Sequence, residues 1–341
     1  MHSFQKFIHR ELTLKMSNEN KIINQFLRPL ALNKESQNLK NDAAVLEKVS
    51  SNYVISSDMM IENIHFHKGD DPKTLAKKLL RVNMSDIAAM GCIPYGYILN
   101  LGLPKSNTNI WLKSFCNGLR IDQKYFNLKL LGGDLSKSKV IFLSATIIGK
   151  KEKCILNCCT ANNGSDIFVS GTLGDAALGL FLKQNPNFSV DDKLKNFFLN
   201  KLHNPSPRIE LGHSLCGYAD SCTDISDGLI LDLEKISSLS SLKSTIFLKQ
   251  IPLSVQAKKM KKIFKNDSLF WEKIITGGED YELVFSMSKL KQKFFFKKQS
   301  KHLQKIKKIG FFEKGNGCRV VKLNNKDFTF KKKLVIVIFK V

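Results

Sequence analysis

The sequence lacks any long apolar run. Its longest, VIFLSATIIG (140–149) and LVIVIF (334–339), fall short of the ~18 residues a membrane-spanning helix needs, so no membrane span is expected. The N-terminal MHSFQKFIHRELTLK has neither the continuous apolar centre nor the small-residue cleavage site of a secretory signal. Met16 opens MSNENKIINQFL, the expected start of the folded chain, which leaves 1–15 as an extension. There is no Cys-x-x-Cys pair, although cysteines stand at 92, 116, 154, 158, 159, 216, 222 and 318. Zinc would want a second ligand pair beside Cys154, Cys158 and Cys159, so these read as reduced thiols of a cytoplasmic protein. Also missing are a G-x-x-x-x-G-K-[ST] phosphate loop, a G-x-S-x-G elbow and any Ser/His/Asp triad order. An enzyme that uses ATP with this chain needs another kind of phosphate site.

Acidic residues are the scarce charge, 30 against 54 Lys and Arg, for a formal charge of +24. Such a field suits a polyanion or a small phosphate-rich substrate. However, the lysines are scattered beside many Asn, Ile and Phe, as an A- and T-rich coding sequence would also produce. The few aspartates are therefore the informative residues.

A length of 341 residues implies about two domains. Strand-like YVISS (53–57), a helix over 74–90, strand-like GYILNLGL (96–103), a helix at 111–126, LKLLGGD and VIFLSATIIG make up a first half. A polar connection at 150–165 leads to DIFVSGTLGDAALGLFL, a strand, turn and helix. Helices near 208–218 and 227–238, the stretch TGGEDYELVFSM and an amphipathic helix over 289–308 follow. The expected fold class is α+β (mixed α/β), with domains at 16–152 and 153–341.

The aspartates cluster at the predicted ends of elements. Asp86 lies four after Val82 and three before Ala89, on the apolar stripe of its helix, where a carboxylate needs a cation, a donor or a metal. Asp58, beside Ser56 and Ser57, and Asp134, after Gly132 and Gly133, each follow a strand-like run, where open α/β sheets gather ligands. In TDISDGLILDL (223–233), Asp224 and Asp227 flank Ser226 before a helical run. Asp224 or Ser226 suits its N-cap and Asp227 its first turn. GGEDYEL (277–283) sets Glu279 and Asp280 after two glycines. Several acids with Gly and Ser between them suit a magnesium–nucleotide site better than a general acid/base pair.

The blocks ISSDMMIENIHF (55–66), KLLRVNMSDIAAMGCIP (78–94), LLGGD (130–134), SGTLGDAALGL (170–180), DISDGL (224–229) and GGEDYEL (277–283) occur in that order. Together they resemble the thiamine-monophosphate kinase family, within a superfamily that includes aminoimidazole-ribonucleotide synthetase and selenophosphate synthetase. The resemblance runs over nearly the whole chain from Met16. It implies ATP-dependent, direct phosphorylation of thiamine monophosphate to thiamine diphosphate. It also implies several magnesium ions held by Asp42, Ser56, Ser57, Asp58, Asp86, Asp134, Asp224 and Asp227. Gly133 and Ser226 would contact ATP; His65, Glu279 and Asp280 would lie near the thiamine substrate. An N-terminal α/β domain would dimerise by joining sheets into a barrel, followed by a C-terminal α+β domain, with no membrane or specific nucleic acid as partner.

The chain departs from the family pattern at Asn41, where a second aspartate is usual, and at Asn204 of the segment that keeps Arg208. It departs again at Cys159 (Asn157 in a shifted alignment), where the family has an ATP-contacting arginine. The aromatic that covers the substrate has no evident counterpart in FKKKLVIVIFKV. Two other readings fit the same residues: an ATP-dependent superfamily enzyme acting on another small molecule, and a catalytically impaired polyanion-binding homologue.

Overall fold

A computed structural model describes residues 23–33, 52–104, 108–298, 306–322 and 324–328. Asp42 and the C-terminal segment FKKKLVIVIFKV lie outside the described residues. The chain divides into two compact units, 1–87 with 92–152, and 88–91 with 153–341.

The first unit is a four-stranded sheet with order β1-β4-β2-β3. Its strands are β1 (Tyr53–Ile61), β2 (Ile93–Leu103), β3 (Lys129–Lys137) and β4 (Phe142–Lys150). Helix α1 (Pro72–Ala89) joins β1 to β2, and α2 (Thr108–Phe126) makes the crossover between parallel β2 and β3. In α1, Leu79, Leu80, Met84 and Ile87 are fully buried. Gly149 of β4 gives Ile87 room, since a Cβ there would stand 2.5 Å from its Cγ2. Between the helices, the guanidinium of Arg81 grips fully buried Asp122 with two hydrogen bonds of 2.6 and 2.9 Å.

Strand period fixes what each face carries. The row Asp58–Ala145–Leu99–Gly133 lies on the α1 side, where Ala145 and Leu99 are buried. The next rows, with Ser57, Thr146 and Ile98 and with Met59, Asn100 and Asp134, lie on the other face. There Ile55, Met59 and Ile98 stay 65%, 52% and 37% exposed. β1 and β3 run on past the points where the sequence suggested they stop. Asp58 and Asp134 therefore sit within strands rather than at carboxyl ends, because pairing with β4 and β2 carries both strands three residues further.

The second unit holds a six-stranded sheet, order β10-β7-β9-β5-β8-β6. The strands are β5 (Asp166–Ser170), β6 (Ser221–Asp224), β7 (Leu242–Phe247), β8 (Leu283–Met287), β9 (Ile306–Lys314) and β10 (Gly317–Val321). Both faces are covered, and β5 shows how. Ile167 and Val169 enter one core with α3 (Asp175–Gln184), α4 (Asp192–His203), α6 (Leu229–Ser240) and α8 (Asp267–Thr276). Phe168 enters the other with α5 (Ile209–Leu215) and α9 (Lys289–Lys298). A run buried on both faces is the mark of a central strand. The helix α7 (Val255–Ile263) completes the unit.

The single amphipathic helix expected over 289–308 is not formed. The helix α9 ends at Lys298, and Ile306 already belongs to β9, which pairs with both β5 and β7. Sheet pairing on both edges overrides the helical spacing of the lysines.

Candidate active site

In the first unit, α1 holds β1 by two side chains one turn apart. Asn83, fully buried, accepts the backbone N–H of Asp58 at 2.8 Å and donates its own amide to the carbonyl of Leu79 at 2.9 Å. Asp86 accepts the hydroxyl of Ser56 at 2.5 Å. The blocks ISSD and NMSD are thus brought together on one face, and Asp86 is only partly buried there. Ser57 is not part of this group. Its hydroxyl pairs with Thr146 at 2.8 Å on the opposite face, because neighbours along a strand point to opposite sides. Asp134, hydrogen-bonded by Ser136 at 2.9 Å, shares that opposite face by register and is not brought together with Asp58. Gly133 has a structural requirement of its own, since a Cβ there would stand 1.8 Å from the carbonyl oxygen of Leu99. His65 is exposed in the turn after β1, and its Nδ1 accepts the N–H of Ile61 at 3.1 Å.

In the second unit, DISDGL and GGEDYEL form one structure. Beyond the β6–β8 pair Asp224–Leu283, Ile225 donates to Glu282 O at 2.8 Å, Tyr281 to Ile225 O at 2.9 Å and Glu279 to Ser226 O at 2.9 Å. Gly278 permits this approach, because its Cβ would lie 2.1 Å from Ser226 O. Glu279 and Tyr281 adopt positive φ, 72° and 49°, a conformation costly for side-chain-bearing residues and concentrated at functional sites.

The helix expected from residue 227 begins two residues later. Gly228, at φ 117°, occupies the N-cap and no side chain caps the helix there. Ser226 and Asp224 are therefore not caps, and Asp227 precedes the first turn, because a backbone turn only glycine takes easily delays the helix.

One acid of this site escaped sequence reasoning. Asp232, in the first turn of α6, is 5% exposed and accepts the N–H of Gly228 at 3.2 Å. Burial, and then the charges of Asp224 and Asp227, push its carboxyl up to about 7. The available signal was an aspartate inside the apolar run LILDL.

Other aspartates show what neutralisation looks like in this chain. Asp166 is held by Lys289 at 2.5 Å and Lys308 at 2.7 Å, and Asp220 by Lys291 at 2.7 Å. Among the described residues, no lysine or arginine forms an ion pair with Asp227 or Asp232. Structural acids take lysines, and this pair does not.

Supporting residues surround the loop pair. Arg208 forms a two-pronged bridge to buried Glu282, with Nε at 2.6 Å from Oε2 and Nη2 on Oε1. Ser170 donates to the same carboxylate at 2.5 Å. Asp280 is tied to α3, accepting the Gly174 N–H at 2.8 Å. Burial pushes its pKa well above the carboxylate range, against the Gly174 and Ala176 amides that lower it.

A class is defined by these blocks and this two-sheet architecture. Residues 40–150 match the family described as AIR synthase related protein, N-terminal domain. The thiamine-monophosphate kinase of Buchnera aphidicola subsp. Schizaphis graminum is 37% identical over 322 residues, covering 92% of this chain and 97% of the relative. The chain belongs to the thiamine-monophosphate kinase family. The crystal structure of thiamine-monophosphate kinase from Stenotrophomonas maltophilia K279a superposes with a TM-score of 0.78 at 28% identity, covering 88% of this chain and 95% of that one. The structure of AaThiL complexed with AMPPCP and TMP superposes with a TM-score of 0.72 at 27% identity, covering 86% and 93%.

Proposed function

We propose that this chain is a thiamine-phosphate kinase, transferring the γ-phosphoryl group of ATP to thiamine monophosphate to give thiamine diphosphate and ADP. The observation that carries the reading is the loop pair of DISDGL and GGEDYEL, which keeps Asp227 and Asp232 without a basic partner among the described residues in a chain of charge +24. Family membership supplies the substrate, and the relative that holds AMPPCP and TMP together supports both ligands.

In this reaction a phosphate oxygen of thiamine monophosphate attacks the γ-phosphorus, and the bond to the β–γ bridging oxygen breaks. The attacking oxygen is already anionic, so no general base is required. Positioning and charge neutralisation supply most of the catalysis.

The donor set fits magnesium. Asp224, Asp227 and Asp232 are hard oxygen donors, and burial, followed by the charges of Asp224 and Asp227, pushes Asp232 up to about 7. Among the described residues no three His, Cys, Asp or Glu already form a metal-binding group. Phosphate oxygens and water would complete the shell, as is usual for this ion. Within the first unit Asp58 and Asp86 would hold magnesium, and within the second Asp224 and Asp227 would do the same; the ion when bound neutralises charge on the phosphates. Asn83 fixes the backbone at Asp58, Ser56 orients Asp86, and Asp232 fixes Gly228 behind Asp227. Ser226 contacts ATP; Glu279 and His65 lie towards the thiamine substrate. Asp280 acts through α3, where its carboxylate is engaged.

The enzyme works as a cytoplasmic homodimer in this proposal. Its eight free thiols suit a reducing compartment. The open sheet face with Ile55, Met59 and Ile98 suits a second copy, and Ser57 and Asp134 would then lie in the joint. Formation of thiamine diphosphate from thiamine monophosphate, ATP and magnesium tests the activity, with thiamine as the control acceptor.

A further inference from the structure

The second unit contains a cavity of about 540 Å³ outside the loop pair. Its apolar lining comes from Leu248, Ile251, Pro252, Leu253 and Trp271, beside Gly171 and Thr172. The rest is cationic: Lys249, Lys258, Lys261 and Lys307 line it, and no acidic side chain does so among the described residues. Lys261 alone of the four is neutralised, by Asp267 at 2.9 Å, and its ammonium also lies 5.0 Å over the Trp271 ring.

A second, independent feature marks the same place. Trp271 is 5% exposed, and its indole N–H is buried without an acceptor. Indole is a donor only, so a buried N–H without an acceptor keeps an uncompensated desolvation cost that a ligand acceptor would relieve. Trp271 and Leu248 also line a second cavity of about 190 Å³, together with Asp267, Ser268, Lys322 and Asn324. An apolar wall with a few convergent polar groups is the usual make-up of a small-molecule site. A basic rim selects anions, and the volume accommodates more than inorganic phosphate.

We propose that this cavity binds a phosphorylated small molecule with an aromatic ring, its phosphates against Lys249, Lys258 and Lys307 and its ring beside Trp271. Two sources share that chemistry, an adenine nucleotide and a thiamine phosphate. Gly171, which lines the cavity, also lies close against Glu282, since a Cβ there would stand 2.1 Å from its Oε1.

Only two tryptophans occur in the chain, so Trp111→Phe leaves Trp271 as the sole indole reporter. Emission of that protein is titrated separately with ADP, thiamine diphosphate and inorganic pyrophosphate. The expected result is a saturable change with ADP or thiamine diphosphate, whichever arm responds naming the source. Pyrophosphate should bind at least tenfold more weakly. In the Lys258→Glu/Lys307→Glu background, both of which are exposed, affinity should fall tenfold or more while melting temperature stays unchanged. The same titration on Asp227→Asn should be unaltered, which separates this cavity from the loop pair. No saturable change in any arm, equal binding of pyrophosphate, or a change undiminished by the lysine substitutions would overturn the proposal.

Discussion

The amide of Glu279 donates to the carbonyl oxygen of Ser226 at 2.9 Å, so two loops distant in sequence are fastened at the residues proposed to meet substrate and ATP. The neighbouring bonds from Tyr281 and Ile225 make the pair a continuation of the β6–β8 ladder. A rigid ladder positions acidic groups better than two independent loops, which matters where positioning supplies the catalysis.

Gly278→Ala tests this fastening. The new Cβ would meet Ser226 O at 2.1 Å, and that oxygen is backbone and cannot swing aside. We expect a stability loss of more than about 1 kcal/mol, read as a lower melting temperature, together with reduced turnover. Unchanged melting and turnover would mean that the loops are not held as described.

Asp86→Asn keeps the shape and removes the charge. Turnover should fall at least about 100-fold with the circular dichroism spectrum unchanged. Ser56→Ala, which removes only the 2.5 Å donor, should act more mildly. Near-normal turnover of Asp86→Asn would remove that residue from the metal set.

Much of this site was legible in the sequence, and the failures share a physical cause. In the first unit the order of strands and helices follows from hydrophobic periodicity, and the blocks around Asp58, Asp86, Asp224 and Glu279 from motif spacing; the helices α4, α7 and α8 and the strands β7, β9 and β10 of the second unit do not. A motif is one-dimensional and sets Ser57 beside Ser56, whereas a strand sends neighbours to opposite faces. The register that turns Asp134 away from Asp58 depends on pairing with β2, which no local pattern encodes. Asp232 carries no motif of its own, and its position behind Gly228 in the fold shows a buried acid. The helix expected over 289–308 failed because β9 is claimed by strands on both sides.

Asp232 gives a pH signature. Its folded pKa of about 7 exceeds the ordinary 3.8, so between roughly pH 4 and pH 7 the folded chain keeps a proton the unfolded chain has released. Its contribution to stability therefore falls as pH rises through that window. Without divalent ions, Asp232→Asn should melt a few degrees higher than the parent near pH 8 and show little gain near pH 4. Added magnesium should narrow the difference at pH 8. A variant less stable than the parent near pH 8 in chelator would contradict the raised pKa.

The open sheet face gives an assembly prediction. Ile55→Lys with Ile98→Lys places charge on a surface now 65% and 37% exposed at those positions. Light scattering should report a dimer for the parent chain and a monomer for the double variant. A monomeric parent would leave that face without the proposed partner.

The most direct measurement follows the γ-phosphoryl group itself. ATP labelled at the γ-phosphorus is mixed with excess enzyme, magnesium and thiamine monophosphate, and both the protein and the small molecules are examined for label within a single turnover. The label should appear in thiamine diphosphate, with none on the protein at any time and none transferred when thiamine replaces thiamine monophosphate. Folded enzyme that forms no labelled thiamine diphosphate, or that carries the label before the product does, would contradict direct transfer to this substrate.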